Sequence, residues 1–336
     1  MRELDQRLMA RAATAVRRAV PSHRWGEFAN AITADRTQGE SILRKPPSEI
    51  NRTMFGSLDA FKRDGVATVP FSLGPKNIAA IREHLEGLPV CAGSHILSSD
   101  RKLRPLADVR ASHPLAGYTM DQLIRAPFLV DLFNQSTIVD FVEAYLGCVP
   151  TLYSLNAWWS FPAKTPEGLN AQYFHRDTDD WRFCTLFLYL TDVDEDGGPH
   201  QVVKGSQTLD RMQRLVSAAK ERGLDTSGFD TERSFVDHFG REFSLQCETI
   251  FADDVWNGLG PAGTMFLVNT IALYRGLMAK QKPRLVVWAR YGLGPNTNSA
   301  DLEQGTLNSK QVPANLPQTP RNRYINRLLF EADREL

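Results

Sequence analysis

"FHRDTDDWRFCTLFLYL", residues 174–190, changes character halfway along. Its first half is polar and carries His175 and Asp177 two positions apart. In its second half Phe183, Thr185, Phe187 and Tyr189 alternate with Cys184, Leu186, Leu188 and Leu190. Side chains two apart on an extended chain leave the same face, so His175 and Asp177 point together if this stretch is a strand. Both faces of residues 182–190 are apolar, which predicts a strand buried between two layers.

The same texture extends on either side. Residues 151–161, 173–177, 200–205, 264–269 and 284–292 read as short strands separated by turn chemistry, of which "DEDGGPH" (194–200) is the strongest example. Upstream lie a short β-run in 63–71, a helix near 76–87, loops over 90–118 and helices at about 120–134 and 137–146. Thr137 with Asp140 predicts a capping box for the last of these. Residues 206–260 break the rhythm as a helical and loop insertion. Helices followed by many short strands predict an α+β fold with a double-sheet core and helical flanks.

The chain has 336 residues, 42% of them hydrophobic, enough for one large domain with appendages. Lys plus Arg equals Asp plus Glu at 39 each, so no basic excess asks for a nucleic acid. Cys91, Cys148, Cys184 and Cys247 show no CxxC spacing and read as free thiols in a reducing cytoplasm. No apolar run approaches the length of a membrane helix. Near the N-terminus Leu4, Leu8, Ala12, Ala15 and Val16 fall at helical spacing, which predicts a helix packing its stripe on the body. Arginines interrupt that stretch, and Glu3 and Asp5 do not suit an organelle transit peptide.

An imidazole nitrogen and a carboxylate oxygen converging from one strand supply two corners of a divalent-metal site. In "RLVVWARYG" (284–292), Arg284, Val286 and Trp288 share one face. An arginine opening an apolar strand needs an anion, and its planar fork suits a carboxylate. The order HxD, aromatic strand, "DVDEDGGPHQVVKGSQ", then "GPAGTMFLVNT" and "LYRG" before Arg284 resembles the phytanoyl-CoA dioxygenase-like family of iron(II)- and 2-oxoglutarate-dependent oxygenases. The resemblance runs from about Asp64 to Tyr291.

It implies a double-stranded β-helix (a cupin-like jelly roll) over residues 61–295, carrying the 206–260 insertion. A helical segment precedes it over 1–60, and a tail packing on the core follows over 296–336. His175 and Asp177 then match the Fe(II) ligands, and Arg284 matches the anchor of the 2-oxoglutarate carboxylate. Asn156, inward on its strand with Trp158 if Tyr153 and Leu155 face outward, is a candidate for the other carboxylate. Tyr274 stands where the family has its distal histidine, and Asn269 where an aspartate is common. Tyr274 is therefore either the candidate third ligand, as a phenolate whose solution pKa near ~10 a bound cation would lower, or a protonated residue lining the pocket beside a two-residue site completed by water or 2-oxoglutarate. His200 reads as a second-strand residue and His238 as a residue of the insertion. The implied activity is oxidation of a small apolar or amphipathic organic molecule, in a pocket to which Trp158, Trp159, Trp181 and Trp288 contribute. The alternative is a catalytically silent relative that binds a ligand or partners an active subunit.

Overall fold

Period-two patterning sorts the strand side chains of this protein onto two faces, and the architecture follows from where each face is buried. The structure is a computed structural model that describes residues 15–17, 19–39, 41–93, 102–162, 170–229, 240–293 and 316–330. The stripe from Leu4 to Ala12 and His238 lie outside the described residues. Among the described residues, ten strands form two antiparallel sheets: β1 (Val66–Thr68), β2 (Cys91–Ala92), β3 (Leu115–Gly117), β4 (Thr151–Ser160), β5 (Phe183–Tyr189), β6 (His200–Val203), β7 (Val255–Gly258), β8 (Met265–Val268), β9 (Tyr274–Gly276) and β10 (Arg284–Gly292). The large sheet has the order β1-β8-β5-β10-β4-β3-β2, and the small one β7-β6-β9. The fold is an α+β double-stranded β-helix of the cupin-like type.

On the large sheet, Leu155, Ala157, Cys184, Leu186, Leu188, Met265, Leu267, Leu285, Val287 and Ala289 face outward. They share one core with Phe61, Ile78, Ile81, Leu85, Phe133, Phe141 and Val142 from the covering helices. The opposite faces of the same strands supply Phe187, Tyr189, Phe266, Val268, Val286 and Trp288. These meet Val202 and Tyr274 of the small sheet in a second core. A third core lies outside the small sheet, where helices Leu209–Glu221 and Arg241–Ile250 bury Met212, Leu215, Phe243, Cys247 and Ile250 against Val203, Leu273 and Phe174. At about 25 cal/mol per Å² of apolar surface removed from water, such layered burial is the main driving force of the fold. No helix among the described residues is long and apolar enough to cross a membrane.

Several expectations change. The helix expected over 120–134 is two short ones, Met120–Ile124 and Leu129–Phe133. Pro127 cannot donate to a continuing helix, and Phe128 turns the chain with φ 63°. The capping box sits at Thr119 and Gln122. At the helix Ser136–Leu146 no side chain caps the N-terminus. Asp140 is instead held by Lys45 at 2.9 Å, the Asn51 amide at 2.8 Å and Arg321 at 3.4 Å. Residues 173–177 form a single bridge, His175 with Tyr274, rather than a full strand. The insertion contains β7, and Tyr274 begins a strand where a loop was expected. In the "DEDGGPH" turn, Gly198 has φ 71°, and a Cβ there would lie 2.5 Å from the Leu277 carbonyl.

Candidate functional site

The polar half of residues 174–190 is tied to β9 by its backbone. His175 and Tyr274 exchange N–H···O bonds of 3.0 Å in both directions, and the Asp177 N–H donates to Thr270 O at 2.8 Å. This pairing carries both side chains of the His-x-Asp motif to the inter-sheet space. Nδ1 of His175 lies 2.8 Å from the Tyr173 carbonyl. A carbonyl only accepts, so Nδ1 holds the proton and Nε2 keeps its lone pair. Nε2 faces Asp177 Oδ1 at 4.0 Å. Burial pulls the imidazole pKa below its ordinary value, with Asp177 partly opposing, which leaves the neutral, ligating form.

Asp177 is also engaged from its other side. The Tyr274 hydroxyl donates to Oδ2 at 2.9 Å, and Arg290 Nη2 donates to the same oxygen at 3.2 Å. Arg290 Nη1 reaches Asp179 at 3.1 Å, and Tyr153 donates its hydroxyl to Asp179 at 3.0 Å. Burial, and then the neighbouring Asp177 charge, push the Tyr274 phenol well above its ordinary pKa. Burial would lower the Arg290 guanidinium, but Asp179 and Asp177 more than offset it and hold it charged.

Tyr153 corrects one expectation. The pairing of β4 with β10 shifts between Arg290 and Tyr291, so that Ser154 and Leu152 are partnered and Tyr153 is the extra residue. This bulge turns Tyr153 to the site side while Leu155 stays outward as expected. Asn156 and Trp158 are inward, opposite Trp288 and Val286. The amide of Asn156 donates to Ser154 Oγ at 2.6 Å. Asn156 thus stands on the site face between the levels of Arg290 and Arg284. Trp158 and Trp288 meet edge to face at 4.8 Å inside the sandwich, whereas Trp159 packs outward and Trp181 stacks on Phe28.

Arg284 is 1% exposed, yet no carboxylate neighbours it among the described residues. Nη2 lies 3.3 Å from Ser160 Oγ, while Nε and Nη1 have no hydrogen-bond partner among the described residues. Burial lowers its pKa. A Cβ at Gly276 would lie 2.8 Å from Nη2, so the glycine of "LYRG" clears space for this guanidinium. His200 is on β6 as expected, with Nδ1 3.1 Å from the Tyr189 hydroxyl. Burial, then Arg284 and His175, drive its pKa well below the ordinary value, so it is neutral.

The structure therefore brings His175, Asp177 and Tyr274 together, with Arg284 and Asn156 on the facing sheet. The sequence reading missed Arg290, Tyr153, Asp179 and the part played by Gly276. Arg290 had a signal: it shares parity with Arg284, Val286 and Trp288. No group of three His, Cys, Asp or Glu side chains able to hold a metal occurs among the described residues.

An antiparallel jelly roll that converges a His-x-Asp pair and a buried arginine from opposite sheets is the architecture of a cupin-like oxygenase. The sequence profile of the phytanoyl-CoA dioxygenase (PhyH) family matches residues 61–239, and the chain belongs to this family of 2-oxoglutarate-dependent non-haem iron enzymes. The match includes His175 and Asp177 and ends before Tyr274 and Arg284.

Among solved structures, the chain is similar to the non-heme alpha ketoglutarate dependent epimerase SnoN from nogalamycin biosynthesis, in complex with Fe3+, alpha ketoglutarate and nogalamycin RO. The identity is 18% over 71% of this chain and 82% of that one, with a TM-score of 0.45. It is similar to EctD from S. alaskensis with 2-oxoglutarate and 5-hydroxyectoine at 12% identity, over 74% and 78% of the two chains, with a TM-score of 0.45. HygX from Streptomyces hygroscopicus with nickel and 2-oxoglutarate bound is 15% identical over 70% and 86%, with a TM-score of 0.41. No curated protein matches by sequence.

Proposed function

We propose that this protein is a cytoplasmic Fe(II)- and 2-oxoglutarate-dependent oxygenase of a small apolar or amphipathic molecule, with His175, Asp177 and Tyr274 as its metal site. The observation that carries the reading is Arg284. A buried guanidinium with two donors unfilled costs several kcal/mol unless an anion meets it. A dicarboxylate co-substrate fits that demand, since one carboxylate can take the fork and leave the other free to reach the metal.

The donor set fits iron as well: a neutral imidazole, a carboxylate oxygen facing it, and a phenol oxygen alongside. Bound there, iron and 2-oxoglutarate would supply the oxidising power for a C–H bond. The chain's own residues do the rest. Arg284 fixes the far carboxylate, and Asn156 lies on the same face for the nearer one. Ligation by Tyr274 requires its hydroxyl proton to leave the hydrogen bond to Asp177 Oδ2. Trp158, Phe187 and Trp288 exclude water and favour an apolar substrate. Four buried free cysteines suit a reducing compartment.

A second reading, a catalytically silent binder of a diacid, is favoured by one observation: Asp177 Oδ2 already accepts from both Tyr274 and Arg290. One set of spectra separates the two. Anaerobic Fe(II) with 2-oxoglutarate should give a weak visible charge-transfer band in the full chain. Oxidation should give a stronger band that Tyr274→Phe abolishes. Absence of any band, without stoichiometric iron, overturns the oxygenase reading.

A further inference from the structure

We infer that Arg290 is a positioning residue for Asp177, holding the outer carboxylate oxygen so that Oδ1 alone is presented to the metal. The inference rests on the metal-site reading above and gives a role to Arg290 and Asp179, neither of which that reading counts among the metal ligands.

Three observations point to it. Arg290 is bracketed: Nη2 binds Asp177 Oδ2 at 3.2 Å, and Nη1 binds Asp179 Oδ2 at 3.1 Å. A planar fork held at both prongs cannot swing, so the carboxylate it touches is fixed in orientation. The bracket is itself anchored, because Asp179 accepts the Tyr153 hydroxyl at 3.0 Å, and Tyr153 is the extra residue of the β4 bulge. Lastly, Oδ1 is the oxygen turned toward His175 Nε2, while Oδ2, which the Tyr274 hydroxyl would leave on ligating the metal, stays held by Arg290. The two oxygens of one carboxylate are thereby given different duties.

The consequence for metal binding has a sign. A guanidinium on Asp177 withdraws charge from the ligand and repels a divalent cation, and Asp179 neutralises part of that guanidinium. Removing Arg290 frees Oδ2 and removes the repulsion, so the metal should bind more tightly and in a changed geometry. Removing the Asp179 charge leaves Arg290 less compensated, so the metal should bind more weakly. A residue that merely supports the fold gives weaker binding in both cases. The opposite signs are the signature.

The test uses the full chain without co-substrate. Mn(II) alone is titrated and the free ion followed by electron paramagnetic resonance, with the visible spectrum of bound Co(II) reporting coordination. The Arg290→Gln variant should bind Mn(II) about tenfold more tightly and shift the Co(II) bands. Asp179→Asn should bind it several-fold more weakly. Unchanged or weaker binding by a folded Arg290→Gln protein, judged by circular dichroism, overturns the inference. If Arg290→Gln does not fold, Asp179→Asn decides alone, and binding equal to or tighter than the parent overturns it. His175→Ala keeps the two ideas apart. If the parent binds no Mn(II), or binds it no better than His175→Ala, the metal site itself is wrong. If the parent loses its site in His175→Ala while the other variants behave like the parent, only the role of Arg290 falls.

Discussion

Arg284 and Arg290 leave the same face of β10 six positions apart, and the fold treats them in opposite ways. Arg290 has a carboxylate on each terminal nitrogen and a charge held firmly by them, with only Nε lacking a hydrogen-bond partner among the described residues. Arg284 has a serine hydroxyl at 3.3 Å and nothing else among the described residues, although it is the more deeply buried. Burial costs a cation free energy in either place. At Arg290 the chain supplies the compensation. At Arg284 it leaves the compensation to something that arrives. That contrast is what supports placing the proposed anion-binding end of the inter-sheet space at Arg284.

The largest expected effects test the contrast directly. Arg290→Met strands two buried carboxylates and should destabilise the protein by about 3–5 kcal/mol, read as a fall in the denaturation midpoint. Arg284→Met removes a cation with no carboxylate partner among the described residues, so stability should hold or rise. The same variant should weaken 2-oxoglutarate binding by about a hundredfold in calorimetry, as expected for the loss of a buried bidentate charge pair. Equal destabilisation by the two substitutions would show that Arg284 has an internal counter-ion after all.

A smaller effect is expected from Gly276→Ala. The new methyl would lie 2.8 Å from Arg284 Nη2, at the far end of a side chain that can shift. Gly276 pairs with His200 on β6, and that pairing should survive. Stability should change little, while 2-oxoglutarate affinity should drop by about tenfold, the cost of a displaced charged hydrogen bond. An unchanged affinity would mean that the guanidinium does not need its present position.

How much of this was legible follows from the same two arginines. Strands were readable because period two is a local signal: the alternation in residues 182–190 and 284–292 stated which side chains would share a face. The face shared by Arg284, Val286 and Trp288 was readable for the same reason, whereas residues 173–177, expected as a strand, form a single bridge. What Arg290 does was not readable, because its partners Asp177 and Asp179 are over a hundred residues away in sequence. Tyr153 was misplaced because one bulge shifts parity, and bulges leave no clear mark in a strand pattern. Thr137 with Asp140 imitated a capping box, but Asp140 was claimed by Lys45, Asn51 and Arg321 from distant segments. Pro127, by contrast, is a local stop signal that divides a helix.

The smallest effect concerns Ser160, the one hydrogen-bond partner Arg284 has among the described residues. Ser160 lies opposite Arg284 in the β4–β10 register and is fully buried, with its Oγ 3.3 Å from Nη2. A neutral hydroxyl at that distance contributes about 1 kcal/mol at most and cannot compensate a guanidinium. Ser160→Ala should therefore cost under about 1 kcal/mol in unfolding and change 2-oxoglutarate affinity by less than about threefold. The direction is informative as well. If Nη2 turns from Ser160 to the co-substrate on binding, losing the serine removes a competitor and affinity should rise slightly. If the serine holds the fork in its binding orientation, affinity should fall. A loss as large as that of Arg284→Met would mean that Ser160 itself contacts the anion, and the contrast between the two arginines would then have to be redrawn around a hydroxyl.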